Sequence, residues 1–421
     1  MIRGRGWRVV VLGVISTVMA EGNARAADAK TQTVDRESTR VLDYEIKLDT
    51  VVKGIHKDFC WFHPRVGPVP GAGRNGRPAV VMTLQKHLHI SDFYSGLSSL
   101  RTDDMGATWT PPVERPELAW RKAADDMVIG VCDCTPGWHA KSGRLLVIGC
   151  SVYYRKGHQV DARPSRTNYT VHDPKAGTWS TWREIEMPDD KTFFMCRSAC
   201  SQWLSEPNGT LLLPIYFGGR GVKAASVAVM RCSFDGKEIK YVEHGNVMKL
   251  DVDRGLCEPS ITFFKDRYYL TIRNDRKGYV TVSDDGLHFA PIKPWTFDDG
   301  SDLGSYNTQQ HWVTHSDGLF LTYTRRGANN DHMFRHRAPL FIGQVDPEKL
   351  CVIRKGERIL IPERGASLGN FGAIAIDERE TWVTVAEGMF WPKLFKRGAE
   401  GAVFVARVVW SRPNRLLSRL R

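Results

Sequence analysis

Two stretches of the chain are dense in side chains that hold sugars and anions. Tyr306-Asn307-Thr308-Gln309-Gln310-His311-Trp312 puts a phenol, three amides, an imidazole and an indole into seven residues. Asn329, Asn330, His332, Arg335 and His336 form a second polar group soon after. Amide side chains both donate and accept, as hydroxyl recognition requires, and an aromatic covers the apolar face of a sugar ring. The cysteines offer less chemistry. Cys132-Asp133-Cys134 is too tight for a structural zinc pair, and no matching His/Cys pair follows. No metal and no other cofactor is implied. The nine cysteines are odd in number, so the expectation is buried free thiols with one or two bridges.

Such side chains need a scaffold, and the sequence contains a repeat. A turn residue followed by a short β-rich apolar run starts at Gly76, Gly143, Gly209, Asp266, Gly318 and Arg379, with gaps of 67, 66, 57, 52 and 61 residues. That spacing holds about four short strands and their loops. No convincing long amphipathic helix lies between the runs. A turn signal follows several of them: Thr102-Asp-Asp-Met-Gly-Ala-Thr-Trp109 is the fullest copy and Ser283-Asp-Asp-Gly-Leu-His-Phe289 is one residue shorter. The Asp accepts backbone N–H bonds inside the turn, the Gly takes a backbone conformation closed to other residues, and the aromatic packs down between sheets. Small sheets packed radially hide their edges, which predicts an all-β, six-bladed β-propeller over residues 43–411. Residues 44–52 and 402–410 read as strands that share one blade and close the ring.

The turn copies resemble the Asp-box of the sialidase (neuraminidase) superfamily, and the resemblance extends to residues in phase along the whole chain. It implies three arginines around a substrate carboxylate. Arg65, in His63-Pro-Arg65-Val-Gly-Pro, matches the first. Arg273, which ends the stretch from Cys257-Glu258, matches the second. Arg337, in Arg337-Ala-Pro-Leu-Phe-Ile-Gly, matches the third, with Arg335 and Arg325 as competitors. The resemblance further implies Asp92 as the acid that protonates the leaving oxygen, Glu258 as the group that activates a nucleophile, and Glu387 as the carboxylate that orients the first arginine. The family's nucleophile is a tyrosine about sixteen residues before that late Glu, where this chain has Phe371. Three replacements are open: Tyr306 reaching in as nucleophile, Glu258 acting directly, or different chemistry on another anionic sugar. His311 is a further candidate for substrate contact.

Composition sets the remaining bounds. The chain has 421 residues, 42% of them hydrophobic, which is enough for a large core. Its formal charge is +12, but the basic residues are scattered, so nucleic acid is not an expected partner. Arg3, Arg5 and Arg8 precede an apolar stretch to Ala20, and Ala24-Arg25-Ala26 offers a cleavage site. This reads as a signal peptide over 1–26, with a flexible lead-in at 27–42 and a basic C-terminal tail at 412–421 that is expected to be a solvated end. The expected product is periplasmic or extracellular, with no membrane attachment after cleavage. The expected function is hydrolysis of a terminal acidic sugar from glycans. A non-catalytic anionic-glycan-binding propeller and a lyase acting on uronic-acid polymers are the alternatives.

Overall fold

A computed structural model of the chain describes residues 42–90, 92–389 and 397–420. The segment read as a signal peptide, nearly all of the expected lead-in and Arg421 fall outside these residues. Every run singled out by the repeat is a strand: Ala79–His87, Arg144–Arg155, Leu211–Gly218, Arg267–Arg273, Gly318–Tyr323 and Glu380–Ala386. Each pairs antiparallel with a preceding strand nearer the ring axis, respectively Cys60–Val69, Val128–His139, Met195–Arg197, Cys257–Phe264, His311–His315 and Gly372–Ala375. These inner strands pack side by side. Cys60–Val69 meets both Val128–His139 and Gly372–Ala375, and His311–His315 meets both Gly372–Ala375 and Cys257–Phe264. The architecture is an all-β propeller.

Its ends meet as the sequence predicts. Tyr44–Val52 pairs antiparallel with Val403–Trp410, from Tyr44 opposite Trp410 to Val52 opposite Val403. Among the described residues the hydrogen-bonded sheets number five, not six separate ones. Met195–Arg197 runs parallel to Ser165–Asp173, and this contact fuses two antiparallel units into one twelve-stranded sheet.

The turn chemistry is as read. Asp104 accepts from the Thr108 backbone N–H at 2.8 Å, the Thr108 hydroxyl at 2.6 Å and the Thr102 hydroxyl at 2.9 Å. Trp109 then lies against Trp382 of the closing sheet, with ring centroids 6.2 Å apart. Led by the Thr108 hydroxyl bond, these contacts bring the Asp104 carboxyl down to about 2. A carboxyl depressed in the folded state stabilises above its unfolded pKa, near 3.8, and that contribution disappears as pH falls toward 2. The melting temperature of the wild type should therefore drop over this window more steeply than that of Asp104→Asn. Parallel thermal scans between pH 5 and 2 measure the difference.

Two expectations are corrected. All nine cysteines are unbridged and buried, packed as small apolar side chains. The described part of the C-terminal tail is docked, not solvated. Asn414 is buried, donates to the Thr314 carbonyl at 2.9 Å and accepts from the Ser316 N–H at 2.9 Å. Arg415 pairs with Asp317 at 2.7 Å.

Candidate active site

Three inner strands break their ladders at matching places. The register shifts between Phe62 and Arg65, between Cys132 and Thr135, and between Cys257 and Ser260. Each bulge contains a non-glycine residue in the left-handed region: His63 (φ 51°), Asp133 (φ 54°) and Glu258 (φ 45°). Cys200, just past the inner strand of the intervening unit, shares that conformation (φ 52°), and its N–H donates to the Asp133 carbonyl at 3.0 Å. A bulge re-aims side chains, and left-handed backbone in non-glycine residues is strain that gathers at functional sites. Here the bulges turn polar groups toward one another. His63 Nε2 lies 2.7 Å from Asp133 Oδ1, and the Cys200 thiol sits in the field of Asp133, Arg65 and Glu258.

Two of the three predicted arginines converge on Asn307. Arg273 donates to Glu258 Oε1 and, at 2.7 Å, to the Asn307 side-chain oxygen. Arg337 donates to the backbone carbonyl of the same Asn307. Arg65 and Arg337 lie along one segment of the closing sheet. A Cβ added at Gly372 would stand 2.7 Å from Arg65 Cγ, and one at Gly369 would stand 2.3 Å from Arg337 Cδ. Gly372→Ala should therefore displace the Arg65 head, and a shift near 1 Å in a positioning group costs about 10²-fold in turnover. Comparing kcat/KM of this variant with wild type on an acidic glycoside checks it.

The decisive feature is what these groups lack. Arg65 is 1% exposed, and among the described residues its Nε, Nη1 and Nη2 have no oxygen or nitrogen acceptor, only the Cys200 thiol nearby. Arg273 Nε, Arg337 Nε and Glu258 Oε2 are likewise buried and unpartnered. Burying a charge without partners costs several kcal/mol, so proteins keep such a site for a ligand that completes it. The electrostatics agree. Burial, then the charges of Arg273 and Arg335, bring the Arg337 guanidinium down to about 10. Burial also opposes charge on Arg273, but the Glu258 carboxylate outweighs it and holds that arginine above its usual value. An arriving carboxylate would relieve the repulsion among the guanidinia.

Asp92 is exposed, and close to it the Leu88 N–H donates to the Phe93 carbonyl at 2.9 Å. Its Oδ1 accepts from the buried Tyr94 hydroxyl at 3.1 Å. Asp92 acts on Arg335 and Tyr94 acts on Arg337, which sets the acid beside the guanidinium cluster. Tyr306 is half-buried next to Asn307. Its hydroxyl lies 2.6 Å from His336 Nδ1, and His336 Nε2 lies 3.2 Å from Asp331 Oδ1.

Three expectations about roles change. Glu387 does not orient Arg65; it pairs with Arg364 at 2.9 Å and accepts from the Glu400 and Ala402 N–H groups at 2.8 and 3.0 Å, a closed structural arrangement. His311 does not face a ligand. It is 1% exposed, with Nδ1 2.9 Å from the Ser260 hydroxyl and Nε2 3.0 Å from the Phe371 carbonyl, and burial pushes its pKa down to about 3. Glu258 is paired with Arg273, whereas the Tyr306 hydroxyl bonds to His336. Phe371 is fully buried, edge-on to His311 at 5.2 Å. Tyr94, the Asn307 bridge, Cys200 and the two arginine-making-room glycines were missed. Tyr94 carried a hint, as an aromatic two residues from the proposed acid, and Asn307 another, as a member of the polar stretch 306–312.

No protein-family model matches the chain, and no curated protein matches it in sequence. Solved structures do. A Hadza microbial sialidase, Hz136, superposes with a TM-score of 0.54 at 12% identity, over 83% of this chain and 66% of its own. The K499G mutant of NanB sialidase from Streptococcus pneumoniae gives 0.57 at 9% identity, over 86% and 69%. Trypanosoma rangeli sialidase in complex with 2,3-difluorosialic acid gives 0.53 at 13%, over 86% and 56%. The fold is sialidase-like. This chain spans between about half and about two thirds of the length of these neighbours. The sialidase-like fold accounts for the ring and for its inner strands bringing distant arginines together.

Proposed function

We propose that this chain is an exported, six-bladed exo-glycosidase that hydrolyses a terminal acidic sugar, sialic acid or a similar carboxylated unit. The twelve-stranded sheet then counts as two blades, residues 43–411 form the catalytic ring, and residues 1–26 are removed on export. One observation carries the reading: the buried, partnerless guanidinium nitrogens of Arg65, Arg273 and Arg337. A planar carboxylate is the group that satisfies such forks. A structural neighbour supports it: Trypanosoma rangeli sialidase is solved in complex with sialic acid.

The chemistry follows from placement. Asp92 gives its proton to the leaving glycosidic oxygen as that C–O bond breaks. The Tyr306 hydroxyl attacks the anomeric carbon and passes its proton to His336, which Asp331 steadies. Water, deprotonated by Asp92, then releases the sugar from the tyrosine. Glu258 holds Arg273, and its open Oε2 accepts a substrate hydroxyl. Release of 4-methylumbelliferone from its sialoside or glucuronide tests this. Turnover on either supports the assignment, and a folded protein inert on both contradicts it.

One observation favours a second reading. Phe371 supplies no hydroxyl where the resemblance places the nucleophile, as in a propeller that binds an anionic glycan without cleaving it. Calorimetric binding of sialyllactose with no product after prolonged incubation would select that reading.

A further inference from the structure

Cys60 begins the innermost strand of its sheet, and His87 stands directly opposite it at the end of the neighbouring strand. His89 follows two residues later, exposed and in the left-handed conformation (φ 58°), which folds it back over the strand end. One ligand atom from each of these three side chains falls within 4.8 Å of the others. The His89 backbone N–H donates to His87 Nδ1 at 3.1 Å, so in the neutral ring that nitrogen carries the lone pair and Nε2 the proton.

We propose that Cys60, His87 and His89 bind a single zinc ion. One thiolate and two imidazoles within this span suit the tetrahedral preference and 2.0–2.3 Å ligand distances of zinc, and a soft sulfur ligand disfavours calcium and magnesium. Zinc takes the place of the His89 N–H on His87 Nδ1, and binding releases one proton, from the Cys60 thiol, to the solvent. The fourth position is taken by water. A second group, His63, Cys132 and Asp133, has similar spacing, but its His and Asp already pair with each other and the Arg65 charge acts on Asp133. Zinc therefore selects the first group. The ion ties His89 to the sheet and so fixes the turn that carries Asp92. This last consequence rests on the acid role proposed for Asp92; the binding site itself does not.

The test is calorimetric titration of the metal-free full chain with zinc chloride, beside Cys60→Ser and His89→Ala. The expected result is one ion per chain with a dissociation constant below about 1 µM, weakened roughly 100-fold in both variants. Cobalt(II) should give a thiolate-to-metal charge-transfer band in wild type and His89→Ala that Cys60→Ser lacks. His89 is exposed, so its variant keeps the comparison open if Cys60→Ser fails to fold. No zinc binding, or full-strength binding in His89→Ala, overturns the proposal. Zinc binding with no effect on glycoside turnover keeps the metal site and removes only its link to Asp92.

Discussion

Replacing Arg65 by methionine should make the protein more stable and unable to hold an acidic sugar. The guanidinium is fully enclosed, and among the described residues none of its nitrogens has an oxygen or nitrogen acceptor. The Asp133 charge and the Cys200 thiol favour its ionisation against the burial that opposes it, but Asp133 spends its hydrogen bond on His63. Methionine fills similar volume without burying a charge. Exchanging poorly compensated buried ions for apolar side chains raises stability by about 1–4 kcal/mol in comparable cases. Loss of a charged, forked contact to the ligand weakens binding by about 10²- to 10³-fold. Urea unfolding and calorimetry on the same samples read both effects. A destabilised Arg65→Met protein would show that Arg65 is a structural ion and not a ligand group.

Removing the Tyr306 hydroxyl should have the larger effect on rate. Tyr306→Phe keeps the ring, its stacking with Arg326 at 4.6 Å and the neighbouring Asn307. It deletes the oxygen bonded to His336. If that oxygen attacks the sugar, kcat falls on the order of 10³-fold or more while KM stays within about threefold. Phe371→Tyr should behave in the opposite way to what the family position implies. It places a hydroxyl inside a fully buried cluster with Leu368, Leu340 and Val383. The expected outcome is about 1–3 kcal/mol of lost stability and no gain in activity. Steady-state kinetics on both variants decide the matter, and a large rate gain in Phe371→Tyr would move the nucleophile back to the closing sheet.

The fold was readable because a propeller repeats its instructions. Six runs with the same turn-then-strand pattern each became a strand, and the strand partners Tyr44–Val52 and Val403–Trp410 were visible as the two ends of one sheet. The arginines were readable by phase with a familiar pattern. Glu387 and His311 were not, because a carboxylate or imidazole at a strand end looks the same whether it meets a ligand or a neighbour's backbone. Arg364 and the Phe371 carbonyl are the partners that decide, and they are 23 and 60 residues away. The bulges at His63, Asp133 and Glu258 were also hidden. They arise where sheets crowd around an axis, and no local signal announces a left-handed His, Asp or Glu.

A crystal structure of the protein with bound sialic acid tests the central claim most directly. The account predicts one carboxylate within about 3 Å of nitrogens on Arg65, Arg273 and Arg337 together, with the Asp92 turn beside the anomeric carbon. A sugar held elsewhere, or a carboxylate that reaches none of the three while Arg65 keeps its empty surroundings, would contradict it.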